Sequence, residues 1–96
     1  MDRFKQIDIH EAHEMINANK ATIVDIRDEE SYRGAHINGA IWVSDENMAG
    51  FLSGVDRNKP LICYCYHGFS SQAVAGFLKD QGFADVYSLI GGFKSS

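Results

Sequence analysis

The chain has 96 residues, of which 45% are hydrophobic and 23% charged, and its net charge is −4. These proportions predict one small globular domain over residues 1–96, because a chain of this length builds a single hydrophobic core. The nine Lys and Arg residues are scattered along the chain, which argues against nucleic-acid binding. No apolar run approaches the ~20 residues of a membrane span, and the first residues lack the apolar centre of a secretory signal. We therefore expect a cytoplasmic protein without membrane association.

The N-terminal segment predicts a short strand followed by a helix. Ile7 and Ile9 alternate with polar residues as in a strand, and Asp8 stands three residues before Glu11 as in a capping box. The buried side of the helix is expected to carry Ala12, Met15 and Ile16.

The next segments predict a buried strand and two shorter helices. Residues 21–26 are apolar and β-branched, which is typical of a strand buried on both faces. Asp28 can cap a short helix that ends at Gly34. Residues 37–43 form another apolar stretch, and residues 45–53 carry apolar side chains at helical spacing.

The second half of the chain predicts a strand over residues 61–65 and then a tight turn. A helix from Ser70 or Ser71 follows and stops at Gly82, and a last strand covers residues 86–89. The inward side of this helix is expected to carry Val74, Phe77 and Leu78. Strands that alternate with helices predict an α/β fold with a mostly parallel sheet flanked by helices.

Cys65 is the strongest candidate for a reactive side chain, because it stands at the carboxyl end of a strand and just before a helix. Loop N–H groups and the positive end of that helix would stabilise its thiolate. Gly68 would let successive amides point toward the sulfur, and Ser70 and Ser71 could cap the helix and donate hydroxyls to a bound anion.

Cys63 lies two residues earlier, and we expect it to be packed in the core. Neighbours within one strand rarely form a disulfide, so the two cysteines are expected to be thiols in a reducing compartment. Redox chemistry by the two cysteines is an alternative, although their spacing of one intervening residue differs from that of thioredoxin-like motifs. We predict no metal site, since Cys63, Cys65 and His67 have no second ligand cluster.

Four segments in order resemble the rhodanese family, and within it the single-domain thiosulfate sulfurtransferases of the GlpE type. They are residues 24–28 (VDIRD), 34–40 (GAHINGA), 65–71 (CYHGFSS) and 87–93 (YSLIGGF). The resemblance implies a rhodanese-like fold with a five-stranded sheet and helices on both of its faces. It also implies an active-site loop from Cys65 to Ser70, in which Cys65 is the nucleophile and carries sulfur as a persulfide.

The resemblance implies thiosulfate as sulfur donor, and cyanide, small thiols or a thioredoxin-like dithiol protein as acceptor, without metal or organic cofactor. Asp25, Arg27 and His36 would support the structure around the site. The persulfide would be held by the residues that follow Cys65, which are Tyr66, His67, Gly68, Phe69, Ser70 and Ser71. Where many relatives have a basic residue in this loop to attract an anionic donor, this chain has only His67, which predicts weak donor binding that strengthens below about pH 6.5.

Two rival functions share this fold. A phosphatase of the dual-specificity type needs an Arg six residues after its Cys, where this chain has Ser71. The other rival is a non-catalytic rhodanese-like binding module or a persulfide carrier for a partner protein, and such binding modules typically lack the nucleophile that Cys65 provides. Relatives also continue past the Gly-Gly-Phe segment with a helix that this chain lacks. We therefore expect a fold without a C-terminal helix, whose uncovered apolar surface would favour a homodimer or another partner.

Overall fold

The computed structural model describes residues 4–18, 20–66 and 70–95. Its sheet consists of β1 (Lys5–Ile7), β2 (Thr22–Asp25), β3 (Ile41–Trp42), β4 (Leu61–Tyr64) and β5 (Val86–Leu89). The helices are α1 (Ile9–Asn17), α2 (Glu29–Gly34), α3 (Met48–Gly54) and α4 (Ser70–Asp80), followed by a 3₁₀ turn over Gly92–Ser95. Within these residues, no helix is both long and apolar enough to cross a bilayer.

The five strands lie in the order β1-β5-β4-β2-β3, and every pairing between them is parallel. All carboxyl ends therefore meet at one edge of the sheet. The strand β4 is central, and its end brings Cys65 to that edge. This agrees with the expectation of a mostly parallel five-stranded α/β sheet.

The sheet separates two hydrophobic cores, and β2 contributes to both. Ile23 packs among residues of α1 and α2, whereas the next residue, Val24, packs among residues of α3 and α4. Alternation of this kind is what a strand buried on both faces requires. Helices thus cover both faces of the sheet, as expected.

Side chains cap the first two helices as predicted. The backbone N–H of Glu11 donates to Oδ1 of Asp8 at 2.9 Å, and Glu11 Oε1 accepts from the backbone N–H of Asp8 at 3.3 Å. Asp28 caps α2 through the N–H of Ser31 at 3.0 Å. The capping box also corrects one expectation: it starts the helix at Ile9, so this residue belongs to α1 and not to a strand.

The inward side of α4 differs from the prediction at one position. Leu78 is fully buried and Val74 partly buried, but Phe77 is 45% exposed. Ala75 takes its place in the core. The burial of Ser71, Ala75 and Leu78, at spacings of four and three residues, turns Phe77 toward the flank of the helix. Gly82 follows the helix with φ +101°, which fits its predicted role as the stop.

Candidate active site

Cys65 sits immediately after β4 and beside the first turn of α4. Its side chain is 6% exposed, and the backbone N–H of Ser71 donates to its Sγ at 3.4 Å. The sulfur therefore lies against the positive end of an 11-residue helix. An N–H donor and a helix N-terminus both favour a negative charge on sulfur.

Ser71 contributes its backbone to this arrangement and not its hydroxyl. The Ser71 side chain is fully buried, and its Oγ lies 2.7 Å from Oγ of Ser88 on β5. The buried hydroxyl has its partner inside the protein, and the expectation that it donates to a bound anion stays a prediction. The hydroxyl pair ties α4 to the sheet and so helps to fix the N–H that faces Cys65.

The other predicted loop residues are described only in part. Tyr66 follows Cys65 and is 54% exposed. The residues His67, Gly68 and Phe69 lie outside the described residues, and so does the side chain of Ser70, whose backbone begins α4. The expectations for His67, Gly68 and Phe69 and for the Ser70 hydroxyl stay predictions.

The C-terminal 3₁₀ turn packs against the backbone of the nucleophile. The N–H of Phe93 donates to the carbonyl oxygen of Cys65 at 2.7 Å. A Cβ atom at Gly92 would lie 2.3 Å from that same oxygen, and Gly92 has φ +63°. Only glycine fits this close approach. Sequence reasoning assigned no role to Gly92, although the adjacent pair Gly91-Gly92 signals a special backbone conformation.

A buried ionic network lies next to the site. Arg27 Nη2 is 2.7 Å from Oδ2 of Asp25, and the Arg27 backbone N–H donates to Oδ1 at 2.8 Å. The Tyr64 hydroxyl donates to Oδ2 of Asp25 at 2.7 Å and accepts from the N–H of Ile37 at 3.1 Å. The hydrogen bond to Asp25 is the main cause that raises the pKa of Arg27. Burial, followed by the hydrogen bond to Asp25, raises the pKa of Tyr64.

Arg27 connects this network to the segments around Cys65. Its guanidinium carbon lies 4.1 Å from the ring centroid of Phe93 and 5.8 Å from that of Tyr66. Its carbonyl accepts from the indole N–H of Trp42 at 2.7 Å. The geometry agrees with a supporting role for Asp25 and Arg27, since the carboxylate and the guanidinium are turned toward each other.

His36 lies in the connection that follows α2. Its Nδ1 is 2.8 Å from the carbonyl oxygen of Tyr32, and the two rings stack with centroids 3.9 Å apart. The hydroxyl of Tyr32 in turn donates to the carbonyl of Ala40 at 2.7 Å. These contacts hold the turn that leads into β3, which is the kind of role expected for His36.

Cys63 is packed in the core, as predicted. It is fully buried, and burial, together with the neighbouring Cys65, raises its pKa to about 12. Its Sγ donates to the carbonyl of Ser71 at 3.4 Å. Cys63 and Cys65 are not joined in a disulfide. In the described ranges, no three His, Cys, Asp or Glu side chains converge as metal ligands.

Comparison with known proteins identifies the class. The model of the rhodanese-like domain matches residues 8–95, and the chain belongs to this family. It is 45% identical over 95 residues to the thiosulfate sulfurtransferase GlpE of Shewanella oneidensis, covering 99% of this chain and 94% of that protein. It is 47% identical to the thiosulfate sulfurtransferase GlpE of Stutzerimonas stutzeri, covering 98% of this chain and 85% of that one.

Solved structures agree on the fold. A rhodanese-like domain protein from Staphylococcus aureus superimposes with a TM-score of 0.83 at 24% identity, covering 96% of this chain and 90% of that one. A rhodanese-related protein from Thermoplasma volcanium gives a TM-score of 0.81 at 24% identity, covering 96% and 89%. The expected rhodanese-like fold is confirmed.

Proposed function

We propose that this protein is a thiosulfate sulfurtransferase in which Cys65 carries the transferred sulfur. The observation that carries the proposal is the position of Cys65 Sγ, 3.4 Å from the N–H of Ser71 at the start of α4. The GlpE relatives at 45% and 47% identity support the same reaction. A nucleophilic sulfur needs its negative charge stabilised, and this position supplies that.

The first half-reaction loads the cysteine. The Cys65 thiolate attacks the outer sulfur of thiosulfate and forms an S–S bond, while the bond inside thiosulfate breaks and sulfite leaves with the electron pair. The terminal persulfide sulfur then bears the negative charge. Backbone N–H groups at the start of α4 would stabilise this charge as they stabilise the thiolate.

The second half-reaction transfers the sulfur from Cys65 to an acceptor. An acceptor nucleophile attacks the outer sulfur, and the electron pair of the persulfide bond returns to Cys65, which gives ping-pong kinetics. Cyanide, small thiols and a thioredoxin-like dithiol protein are the acceptors we propose. A reduced Cys65 is required at the start of each cycle, which suits a cytoplasmic location.

The arrangement around Ser71 argues against phosphoryl transfer. A dual-specificity phosphatase needs a guanidinium where this chain has Ser71, and the Ser71 side chain is instead buried against Ser88. The nearby guanidinium of Arg27 is bound to Asp25.

The decisive test is intact-protein mass spectrometry after incubation with thiosulfate, followed by addition of cyanide or a thiol. We expect the protein to gain one sulfur atom and to lose it to the acceptor. The Cys65→Ser variant should gain none, because the nucleophile is missing. Cys63→Ser is the matched control, and it should still be loaded, because Cys63 is packed in the core.

Two results would contradict the proposal. If the folded protein with reduced Cys65 gained no sulfur, thiosulfate would not be its donor, and a binding module would become the better interpretation. If Cys63→Ser lost activity to the same extent as Cys65→Ser while remaining folded, the cysteine pair would act together, as in redox chemistry.

A further inference from the structure

A cavity of about 330 Å³ lies at the same edge of the sheet as Cys65. It is formed where β2 and β3 end and where α3 and α4 pass close to them. Four apolar side chains and two carboxylates line most of it, namely Ile26, Val43, Met48, Val74, Asp28 and Asp45. Ligands of parallel α/β sheets bind in such clefts beyond the carboxyl ends of the strands.

The cavity and the reactive sulfur lie on the same side of the sheet. Cys63 packs in the core under α3 and α4, and the Sγ of Cys65, just after the end of β4, lies at the start of α4, the helix that covers this side of the sheet. The N–H of Ser71 on Cys65 Sγ fixes this position. Val74, in the cavity wall, is one helical turn beyond Ser71, and β2 is the direct neighbour of β4.

The charged side chains that line the cavity determine which ligand charge it favours. Asp28 and Asp45 are exposed acids at the cavity. Arg27 also lines it, but the guanidinium of Arg27 is bound to Asp25 and stacks on Phe93, in the core on the opposite side of the sheet. Asp28 caps α2 through both carboxylate oxygens, so among the described residues that line the cavity the carboxylate of Asp45 is the charge left to meet a ligand.

A polar group at the cavity supports a ligand with a hydrogen-bond donor. The hydroxyl oxygen of Ser44 is buried and makes no hydrogen bond to any described residue. Ser44 belongs to the cavity lining. Buried hydroxyls normally have a partner, so rotation of this side chain toward a bound ammonium would satisfy it.

We propose that this cavity is the acceptor subsite, and that it favours a small aliphatic thiol bearing a positive charge, such as an aminothiol. The proposal rests on the sulfur-transfer function above. The short carbon chain packs on Val43, Met48 and Val74 while the ammonium faces Asp45. The thiolate then attacks the outer persulfide sulfur, forming a new persulfide on the acceptor, and the electron pair of the broken bond returns to Cys65.

The test compares two thiols of equal size. Cysteamine and 2-mercaptoethanol differ in having an ammonium or a hydroxyl, and each is reacted with the preformed Cys65 persulfide. The ratio of their rates is measured in the wild type, in Asp45→Asn and in Glu14→Gln. Intrinsic thiol reactivity cancels when ratios are compared between variants.

We expect Asp45→Asn to lower the cysteamine preference about two- to five-fold, as loss of one exposed ion pair would do. Glu14→Gln removes the same charge from an exposed position on α1, on the other side of the sheet, and should leave the ratio unchanged. Equal ratios in wild type and Asp45→Asn would overturn the proposal. So would an equal effect of Glu14→Gln, because it would reflect net charge alone.

A second measurement does not depend on sulfur transfer. The Cys65 thiolate is reacted with cystamine or with bis(2-hydroxyethyl) disulfide, and peptide mass locates the mixed disulfide at Cys65. The wild type should prefer cystamine, and Asp45→Asn should lower that preference relative to the wild type, whereas Glu14→Gln should not. If thiosulfate loads no sulfur but this effect of Asp45→Asn is found, the proposed function fails and the cationic subsite stands. If sulfur is loaded but Asp45→Asn changes the ratio in neither assay, the subsite fails alone.

Discussion

Cys63 lies within β4 and Cys65 directly after its end, and their surroundings prepare them for different roles. Cys63 is enclosed by apolar side chains, and burial raises its pKa to about 12, so it is a neutral thiol at physiological pH. Cys65 lies two residues further along, where the strand has ended and a helix N-terminus supplies an N–H to its sulfur. The end of β4 thus separates a packing residue from a candidate nucleophile.

Gly92 is the residue at which we expect a single methyl group to impair the site. Gly92→Ala places a Cβ 2.3 Å from the carbonyl oxygen of Cys65 at a φ of +63°, so the backbone of the nucleophile must shift. We expect a loss of ~1–3 kcal/mol in the free energy of unfolding, together with slower persulfide formation. Urea denaturation and the rate of sulfur loading by thiosulfate measure the two effects.

The matched control is Gly76→Ala in α4. A Cβ at Gly76 meets nothing within 4 Å, and alanine is favoured over glycine inside a helix by about 0.5–1 kcal/mol. We therefore expect this variant to be as stable as the wild type or more so, with unchanged loading. If Gly92→Ala loaded sulfur as fast as Gly76→Ala, the C-terminal 3₁₀ turn would have no part in positioning Cys65.

At the scale of elements, one hydroxyl joins β2, β4 and the connection after α2. Tyr64→Phe removes the donor to the Asp25 carboxylate and leaves the N–H of Ile37 without its acceptor. We expect a loss of ~1.5–3 kcal/mol in the free energy of unfolding, because the lost bond is to a charged group. Chemical denaturation measures the loss.

Tyr32→Phe is the variant with which Tyr64→Phe is compared. The Tyr32 hydroxyl donates to a neutral acceptor, the carbonyl of Ala40, so its loss should cost only ~0.5–1.5 kcal/mol. A larger cost for Tyr32→Phe than for Tyr64→Phe would show that the Asp25 carboxylate is not the main beneficiary of the Tyr64 hydroxyl.

Elements set by neighbouring residues could be predicted from the sequence, and those set by distant contacts could not. The capping box of Asp8 and Glu11 spans three residues, so the start of α1 was readable apart from the assignment of Ile9. The partnership of Asp25 with Tyr64 spans 39 residues and depends on the pairing of β2 with β4. The exposure of Phe77 likewise depends on which side of α4 meets the sheet.

The same holds for the candidate site. The position of Cys65 at the end of a strand was evident from the local pattern, and the structure places the sulfur at the start of α4. The pairing of the Ser71 hydroxyl with Ser88 could not be predicted, because it depends on the packing of α4 against the strand β5. The approach of Gly92 to Cys65 joins residues far apart in the chain, so only the glycine pair hinted at it.

At the scale of the whole molecule, the buried protonated groups predict instability in alkali. Cys63 and Tyr64 both have a raised pKa in the folded state, so the folded protein holds protons that the unfolded chain releases from about pH 9 upward. Their contribution to stability is complete below that pH and is lost as the pH rises. Each group that ionises only on unfolding adds up to about 1.4 kcal/mol of lost stability per pH unit.

Urea denaturation of the wild type and of Cys63→Ala between pH 8 and pH 11 tests this. The variant should be less stable at pH 8, because it leaves a cavity in the core. Its stability should nevertheless fall less steeply above pH 9, because one of the two buried proton-holding groups is gone and Tyr64 remains. Parallel curves for the two proteins would mean that Cys63 ionises in the folded state as readily as in the unfolded chain, which its burial opposes.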